Sequence, residues 1–314
     1  MTDLLVASGG GHLAQLSRLV DRLPSPSEKR TWVTFDTPQS RSLLAGQDVR
    51  YIPYTGSRAY VKTLRNSWTA HNIMRDRRYR RVISTGAAPA LSFLPVALLH
   101  GAEPIYIESA ARSDGPSLTG RLLSGISGVR LFTQYEQWAD TRWKYAGSVF
   151  DGFESAPVGG SKAVARIVVS LGTIGGFGFR RLLERLIEII PRDVSVMWQV
   201  GNTDARRLPI DGIVSMPSRA LDEEMKRADV VVTHAGIGSA LAALDAGRCP
   251  VLVPREQAHG EHVDDHQRMI ADVLDCRGLA IHRSVDSLTY DDLRHAATQA
   301  VRPTNVPCLG LYAA

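Results

Sequence analysis

Short runs of Val, Ile, Leu and aromatic residues alternate along this chain with longer stretches in which apolar residues return every three or four positions. The first pattern marks buried strands and the second amphipathic helices. In the first half the strand-type runs are Leu4–Ala7, Thr31–Phe35, Val49–Pro53, Val82–Gly86 (closing in a turn), Pro104–Ile107 and Val129–Thr133. In the second half they are Arg166–Leu171, Val194–Val200, Ile213–Pro217, Val230–Val232 and Val251–Val253. Helical spacing follows several of them: Leu13, Leu16, Leu19, Val20 and Leu23 on one face, then Ala90–Leu99, Phe179–Ile190, Leu221–Ala228, Ser239–Gly247 and Ser287–Val301. This alternation predicts an α/β protein with parallel sheets.

A stretch of small residues, Glu154–Lys162, separates the two series and has linker character. The expected organisation is a domain over 1–155, a linker over 156–165 and a domain over 166–314, each near the ~150 residues that one core fills. A content of 44% hydrophobic and 22% charged residues fits ordinary globular domains. The longest apolar run, Leu91–Leu99, is interrupted by Ser92 and Pro95 and falls short of the ~20 residues that cross a bilayer. Leu4–Ala7 is too short for a signal peptide. Cys249, Cys276 and Cys308 lack the close spacing of a zinc site or disulfide scaffold, which favours a reducing cytoplasm. Charge is unevenly placed: residues 1–155 hold 19 Lys and Arg against 13 Asp and Glu, the remainder 18 against 19. The first half is therefore the part expected to meet an anionic surface.

Candidate chemistry gathers at the ends of the predicted strands. After Val230–Val232 comes His234-Ala235-Gly236-Ile237-Gly238-Ser239, a glycine loop opening a helix, where backbone N–H groups and the helix N-terminus suit a diphosphate. Ser239 is placed either to cap that helix or to donate to a phosphate oxygen. The loop behind Val251–Val253 carries Glu261, Asp264, Asp265, His266 and Gln267, groups suited to binding sugar hydroxyls. Adjacent carboxylates diverge on a helix, so Asp264 and Asp265 read as hydroxyl ligands or caps, and no metal site is expected. The first strand leads into Gly9-Gly10-Gly11-His12, whose consecutive glycines do not match a dinucleotide fingerprint. They bring the backbone close to a ligand and set His12 at a helix N-terminus. There it either caps the helix or, held neutral by the helix dipole, accepts a proton. The segment Arg58–Arg81 is basic and amphipathic, reading as a lipid-facing surface or as a solvated helix. No nucleic-acid-binding motif accompanies it.

Two of these stretches, Thr233–Ser239 and Asp264-Asp265-His266-Gln267, resemble the donor-binding half of the MurG-type glycosyltransferases. They are closer still to the catalytic subunit of two-part enzymes such as PssD/PssE and the eukaryotic dolichol-linked N-acetylglucosaminyltransferase. Gly172-Thr173 and Gln199-Val200-Gly201 fit the same pattern. In the first half, Gly10-Gly11-His12, Ile107-Glu108-Ser109 with Arg112, and Pro116–Leu123 resemble the acceptor-side subunit of those enzymes. The resemblance implies a fusion of the two parts in the GT-B architecture, two Rossmann-like domains facing across a cleft.

It further implies an inverting, metal-independent transfer from a UDP-sugar to a lipid-linked, polyprenyl-phosphate type acceptor in surface polysaccharide or glycolipid synthesis, at the cytoplasmic face of the cell membrane and without a cofactor. The implied catalytic residues are His12 as base and Glu108, with Gly10, Gly11 and Arg112 on the acceptor side. The implied donor residues are Gly172, Thr173, Gln199, His234, Gly236, Gly238, Ser239, Glu261, Asp265, His266 and Gln267. Family members place a ribose-binding glutamate where this chain has Ala242, and Asp245, one turn on, is the candidate substitute. A UDP-sugar 2-epimerase of the same architecture and a non-catalytic nucleotide-sugar-binding scaffold are the alternatives.

Overall fold

A computed structural model of the chain describes residues 2–24, 29–56, 60–157, 163–172, 177–262 and 266–312. The chain divides into two compact units, Met1–Phe150 with Val306–Ala314, and Asp151–Asn305. In the first unit the strands are β1 (Thr2–Val6), β2 (Lys29–Phe35), β3 (Asp48–Ile52), β4 (Tyr79–Ser84), β5 (Glu103–Ile107), β6 (Arg130–Thr133) and β7 (Trp143–Tyr145). They form one parallel sheet in the order β3-β2-β1-β4-β5-β6-β7. Its helices are α1 (Gly11–Leu19), α2 (Pro38–Leu43), α3 (Tyr60–Asp76), α4 (Ala87–Leu99) and α5 (Leu118–Ser124). Strand β1 is buried along its whole length, as befits a central parallel strand, Leu4–Val6 being apolar throughout. Phe93 and Leu94 of α4 pack with Leu4, Val6 and Val82 in the core beneath, each such buried side chain contributing about 1.5–3 kcal/mol.

The second unit contains β8 (Phe153–Pro157), β9 (Arg166–Ser170), β10 (Ser195–Gln199), β11 (Gly212–Ile213), β12 (Val230–Thr233), β13 (Val251–Leu252), β14 (Ile281–His282) and β15 (Gln299–Pro303). Its helices are α6 (Arg180–Ile189), α7 (Ser218–Arg227), α8 (Ile237–Asp245), α9 (His266–Cys276) and α10 (Tyr290–Ala297). Six strands form a parallel sheet in the order β11-β10-β9-β12-β13-β14, while β8 and β15 pair antiparallel as a separate ribbon. In both sheets the order reverses between two central strands, β1 and β4 in one and β9 and β12 in the other. The carboxyl ends of such strand pairs open the crevice in which α/β sheets take their ligands.

The sequence reading departs from this structure in several places. Glu154–Pro157, read as linker, lies in β8 because its backbone finds a ladder partner in β15. For the same reason Gln299–Val301, read as the end of a helix, is strand; α10 stops at Ala297. Helix α10 contacts β12, β13 and β15 of its own unit. The tail beyond it, Val306–Ala314, belongs instead to the first unit, where Leu309 N–H donates to Arg22 O at 2.7 Å and Gly310 N–H to Ala146 O at 3.0 Å. Only Gly212–Ile213 of the run ending at Pro217 is strand. Arg81, counted with the basic surface, is fully buried in β4 and paired with Asp3 of β1, Nε to Oδ1 at 3.1 Å.

Candidate functional site

At the carboxyl end of β1 the chain turns through Gly10, whose φ of 67° favours glycine, into α1, with Gly11 as its first residue and His12 its second. His12 leans toward the turn after β4. Its Nδ1 lies 2.8 Å from Thr85 O, and Thr85 Oγ1 donates to His12 O, also at 2.8 Å. A carbonyl only accepts, so Nδ1 carries the ring proton and Nε2 is the nitrogen that accepts one. The ring is thus seated on Thr85. Gly86, at φ 126°, leaves the room for this, since a Cβ there would lie 2.9 Å from His12 Cε1.

Glu108 follows β5 and is almost wholly buried. Tyr106 OH and Ser109 N–H donate to Oε1, both at 3.0 Å; Ser117 N–H and Oγ–H donate to Oε2, both at 2.9 Å. Burial raises its pKa, and the donors from Ser117, Ser109 and Tyr106 oppose the shift. Both oxygens of Glu108, expected among the catalytic residues, are engaged as those of a positioning residue would be: they tie down the Ser109–Ser117 loop and, through Ser117, the N-terminus of α5. Two glutamines that the sequence reading passed over brace the same edge. Gln15 Nε2 donates to Ser109 Oγ at 3.0 Å and its Oε1 accepts from Ala110 N–H at 2.8 Å. Gln134 Nε2 donates to Gln15 Oε1 at 3.1 Å and to Glu108 O at 2.9 Å. Their signal was a polar residue within an apolar helix face and at a strand end. Arg112 is half-buried on this loop, its carbonyl accepting from Trp138 Nε1 at 3.2 Å.

In the second unit Ser170, at the end of β9, ties three strands together. Its hydroxyl donates to Gln199 Oε1 of β10 at 2.6 Å, and its carbonyl accepts from Thr233 Oγ1 of β12 at 2.7 Å. His234 Nδ1 lies 3.4 Å from the same carbonyl and 3.3 Å from Thr233 Oγ1. Because the Thr233 proton is spent on Ser170, Nδ1 is the protonated nitrogen. Burial, and then the charge of Arg255, push the His234 pKa down to about 3. The neutral ring stands between two glycines: a Cβ at Gly172 would meet it at 2.7 Å and one at Gly236 at 2.3 Å. His234, expected on the phosphate side of the donor, is a wedge that shapes the two loops, with Nε2 in the accepting state.

Helix α8 starts beside it, with Gly236 at the N-cap and no side-chain cap. Ala235, at φ 57°, holds the strained turn that aims the helix. Ser239 is half-buried, and among the described residues its hydroxyl makes no hydrogen bond, so the capping alternative falls away. Gly238 is likewise half-buried in this first turn, while Asp245 is exposed as the last residue of α8.

Glu261, expected on the sugar, meets an arginine in the fold. Arg181 of α6 grips it with Nε to Oε1 at 2.9 Å and Nη2 to Oε2 at 3.1 Å, and Oε2 also accepts from Glu256 N–H at 3.1 Å. His266 opens α9 with its ring edge-on to His262, centroids 4.7 Å apart. Gln267 Oε1 accepts from Arg255 N–H at 3.0 Å. Thr173, Asp264 and Asp265 lie outside the described residues. Among the described residues no cluster of His, Cys, Asp and Glu is placed to hold a metal ion, and no helix is long and apolar enough to cross a membrane.

Each unit thus presents a histidine seated against a glycine at its sheet's switch point, and the second adds an uncapped helix N-terminus. Residues 172–300 match the glycosyltransferase family 28 C-terminal domain. The UDP-N-acetylglucosamine--N-acetylmuramyl-(pentapeptide) pyrophosphoryl-undecaprenol N-acetylglucosamine transferase of Wolinella succinogenes is 26% identical over 303 aligned positions, spanning 87% of this chain and 85% of its own. The crystal structure of Acinetobacter baumannii MurG superposes with a TM-score of 0.59 at 19% identity, covering 94% of this chain and 88% of that one. The glycosyltransferase SnogD from Streptomyces nogalater gives 0.56 at 16% identity, covering 95% and 92%. With two parallel-sheet α/β units, that domain and these neighbours, the chain is a glycosyltransferase of the GT-B fold, similar to the MurG type.

Proposed function

We propose that this enzyme moves a sugar from a UDP-sugar to a lipid-linked acceptor of the polyprenyl-phosphate type, with inversion and without a metal ion, in the synthesis of a surface polysaccharide or glycolipid. The observation that carries the reading is the tautomer of His12, fixed by Thr85 O so that Nε2 accepts a proton. In the proposed step the acceptor oxygen bonds to the anomeric carbon as its proton passes to Nε2. The bond from that carbon to the diphosphate breaks, and its electron pair leaves on the phosphate oxygen. The α8 N-terminus, Gly236, Gly238 and Ser239 would receive that charge, with Gly172, Thr173, Gln199, Asp265, His266 and Gln267 shaping the donor subsite and Asp245 the candidate for the ribose. The name of the Wolinella succinogenes relative supports a nucleotide-sugar donor and an undecaprenol-linked acceptor.

The proposed place of action is the inner face of the cell membrane, held peripherally by α3. Val61, Leu64 and Trp68 are 82%, 72% and 57% exposed on that helix. Their spacing puts them on one stripe with Arg65 and Arg75, flanked by Lys62, while Asn66, Ala70 and Met74 face inward. The test is transfer of labelled sugar from UDP-glucuronate, UDP-galactose or UDP-N-acetylglucosamine to a polyprenyl-diphosphate-linked sugar, with chelator present. Label in the lipid product is expected. Epimerised sugar from donor alone, or binding with no turnover, would replace this reading with the epimerase or the scaffold.

A further inference from the structure

One basic side chain at the second unit's sheet edge has no part in the donor residues named so far. Arg255 follows β13 and is 1% exposed, among the largest fully buried side chains of the chain. A guanidinium carries five N–H donors, and burying it is unfavourable unless they find acceptors. Here, among the described residues, the side chain spends one on Leu171 O, from Nη2 at 2.8 Å, and Nε has no partner. The group lies 5.9 Å from the centroid of Phe179, an apolar neighbour. Glu261, the carboxylate whose charge reaches it, is already held by two bonds from Arg181, which also approaches Glu256 at 3.6 Å.

The place where the charge is brought narrows its purpose. Among the described residues its one side-chain bond lands on Leu171, the residue before Gly172, and the neutral ring of His234 stands against Gly172. Burial lowers the Arg255 pKa to about 10, which leaves it cationic at neutral pH. A strut needing a single bond to Leu171 O would not require a buried cation with donors unspent. We propose that Arg255 is a binding residue for the diphosphate of the donor, a fixed positive charge beside the Leu171–Gly172 turn that acts with the α8 N-terminus and the Ser239 hydroxyl. This rests on the reading of the chain as a nucleotide-sugar transferase.

The test is calorimetric titration of the full chain, wild type, Arg255→Met and Arg255→Lys, with UDP, UMP and inorganic pyrophosphate, alongside thermal melts. Loss of a charge-assisted pair predicts UDP and pyrophosphate binding about 10- to 100-fold weaker in Arg255→Met, with UMP changed by less than about threefold. Arg255→Lys, which keeps charge without the fork, should fall between, and carries the test alone if Arg255→Met does not fold. Equal losses for UDP and UMP, or an unchanged UDP-to-UMP ratio in both variants, overturn the proposal and leave the transferase reading standing. Pyrophosphate binding that depends on Arg255 in a protein indifferent to UDP would uphold Arg255 and sink the UDP-sugar reading. A wild type that binds neither sinks both.

Discussion

Gly86 and His12 divide one small space between them: a Cβ on the glycine would sit 2.9 Å from Cε1 and 3.1 Å from Nδ1 of the ring. The second unit repeats the device with His234 and Gly172, at 2.7 Å from Cε1. In each case the imidazole reaches across the switch point, β1 to β4 or β12 to β9, toward a carbonyl on the opposite strand's end. The environments then part. The His12 ring remains half-exposed, while His234 is buried and stays neutral.

Displacing the His12 ring should therefore cost turnover. In Gly86→Ala the new methyl collides with the ring, and the φ of 126° suits no L side chain. A misplacement on the order of 1 Å predicts kcat about 100-fold lower, with roughly 1–3 kcal/mol lost in stability from backbone strain. His12→Ala should lower kcat by about 10²–10⁴ with the fold intact by circular dichroism. A Gly86→Ala enzyme with normal kcat would show that the seat observed against Thr85 is not the working one.

Ser239 offers a cleaner separation of binding from folding, because its hydroxyl bonds to nothing among the described residues. Ser239→Ala should weaken UDP binding about fivefold, the worth of one hydrogen bond, and leave the urea midpoint in place. Equal affinity in the variant would remove Ser239 from the donor subsite.

Glu108 calls for the opposite outcome. Changing one carboxylate oxygen to an amide turns an acceptor toward donors on Ser117, or on Tyr106 and Ser109, so Glu108→Gln should lose about 1–3 kcal/mol in urea unfolding. A positioning role predicts that the pH profile of kcat keeps its shape while acceptor KM rises. If one limb of that profile vanished while stability held, Glu108 would return to the catalytic set.

The fold was legible from periodicity, and the main ligand loops from their glycines, because parallel strands buried on both faces and glycine turns leave strong local marks. What stayed hidden depended on partners distant in sequence. Glu154–Pro157 looks like linker until β15 supplies its ladder, and Arg81 looks like surface until Asp3 lies beside it. Glu108 and Glu261 were identified as carboxylates near the site, yet only the donors from Ser117 and Arg181 reveal that their oxygens are occupied. Arg255 gave no sequence signal at all, since an arginine after a strand is ordinarily exposed.

Peripheral attachment through α3 predicts two separable effects in vesicle co-sedimentation. Leu64→Glu with Trp68→Glu should abolish binding to vesicles containing anionic lipid, and leave melting unchanged because both side chains face outward. Lys62→Glu, Arg65→Glu or Arg75→Glu should each weaken it by more than about fivefold, neutralisation alone being worth ~1 kcal/mol per charge near an anionic surface. Added salt should blunt the charge effect and spare the apolar one. Undiminished sedimentation of the double variant would make α3 a solvated surface.

His234 supplies a test that needs no substrate. Its ring is held neutral in the fold, with a pKa of about 3 against 6.5 in a solvated histidine. Between those values the unfolded chain binds a proton that the native state refuses, so the contribution of this site to stability is present above pH 6.5 and is lost as pH falls toward 3. The slope approaches about 1.4 kcal/mol per pH unit. Replacing His234 with Gln should destabilise the protein at neutral pH, because the wedge between Gly172 and Gly236 is gone. It should also flatten the acid limb, so that the gap between wild type and variant narrows steadily from pH 7 to pH 4. Urea titrations across that range read both quantities. A gap that stayed constant would mean that the imidazole takes up its proton inside the fold, with Nδ1 still on Ser170 O and Nε2 then able to donate to a phosphate.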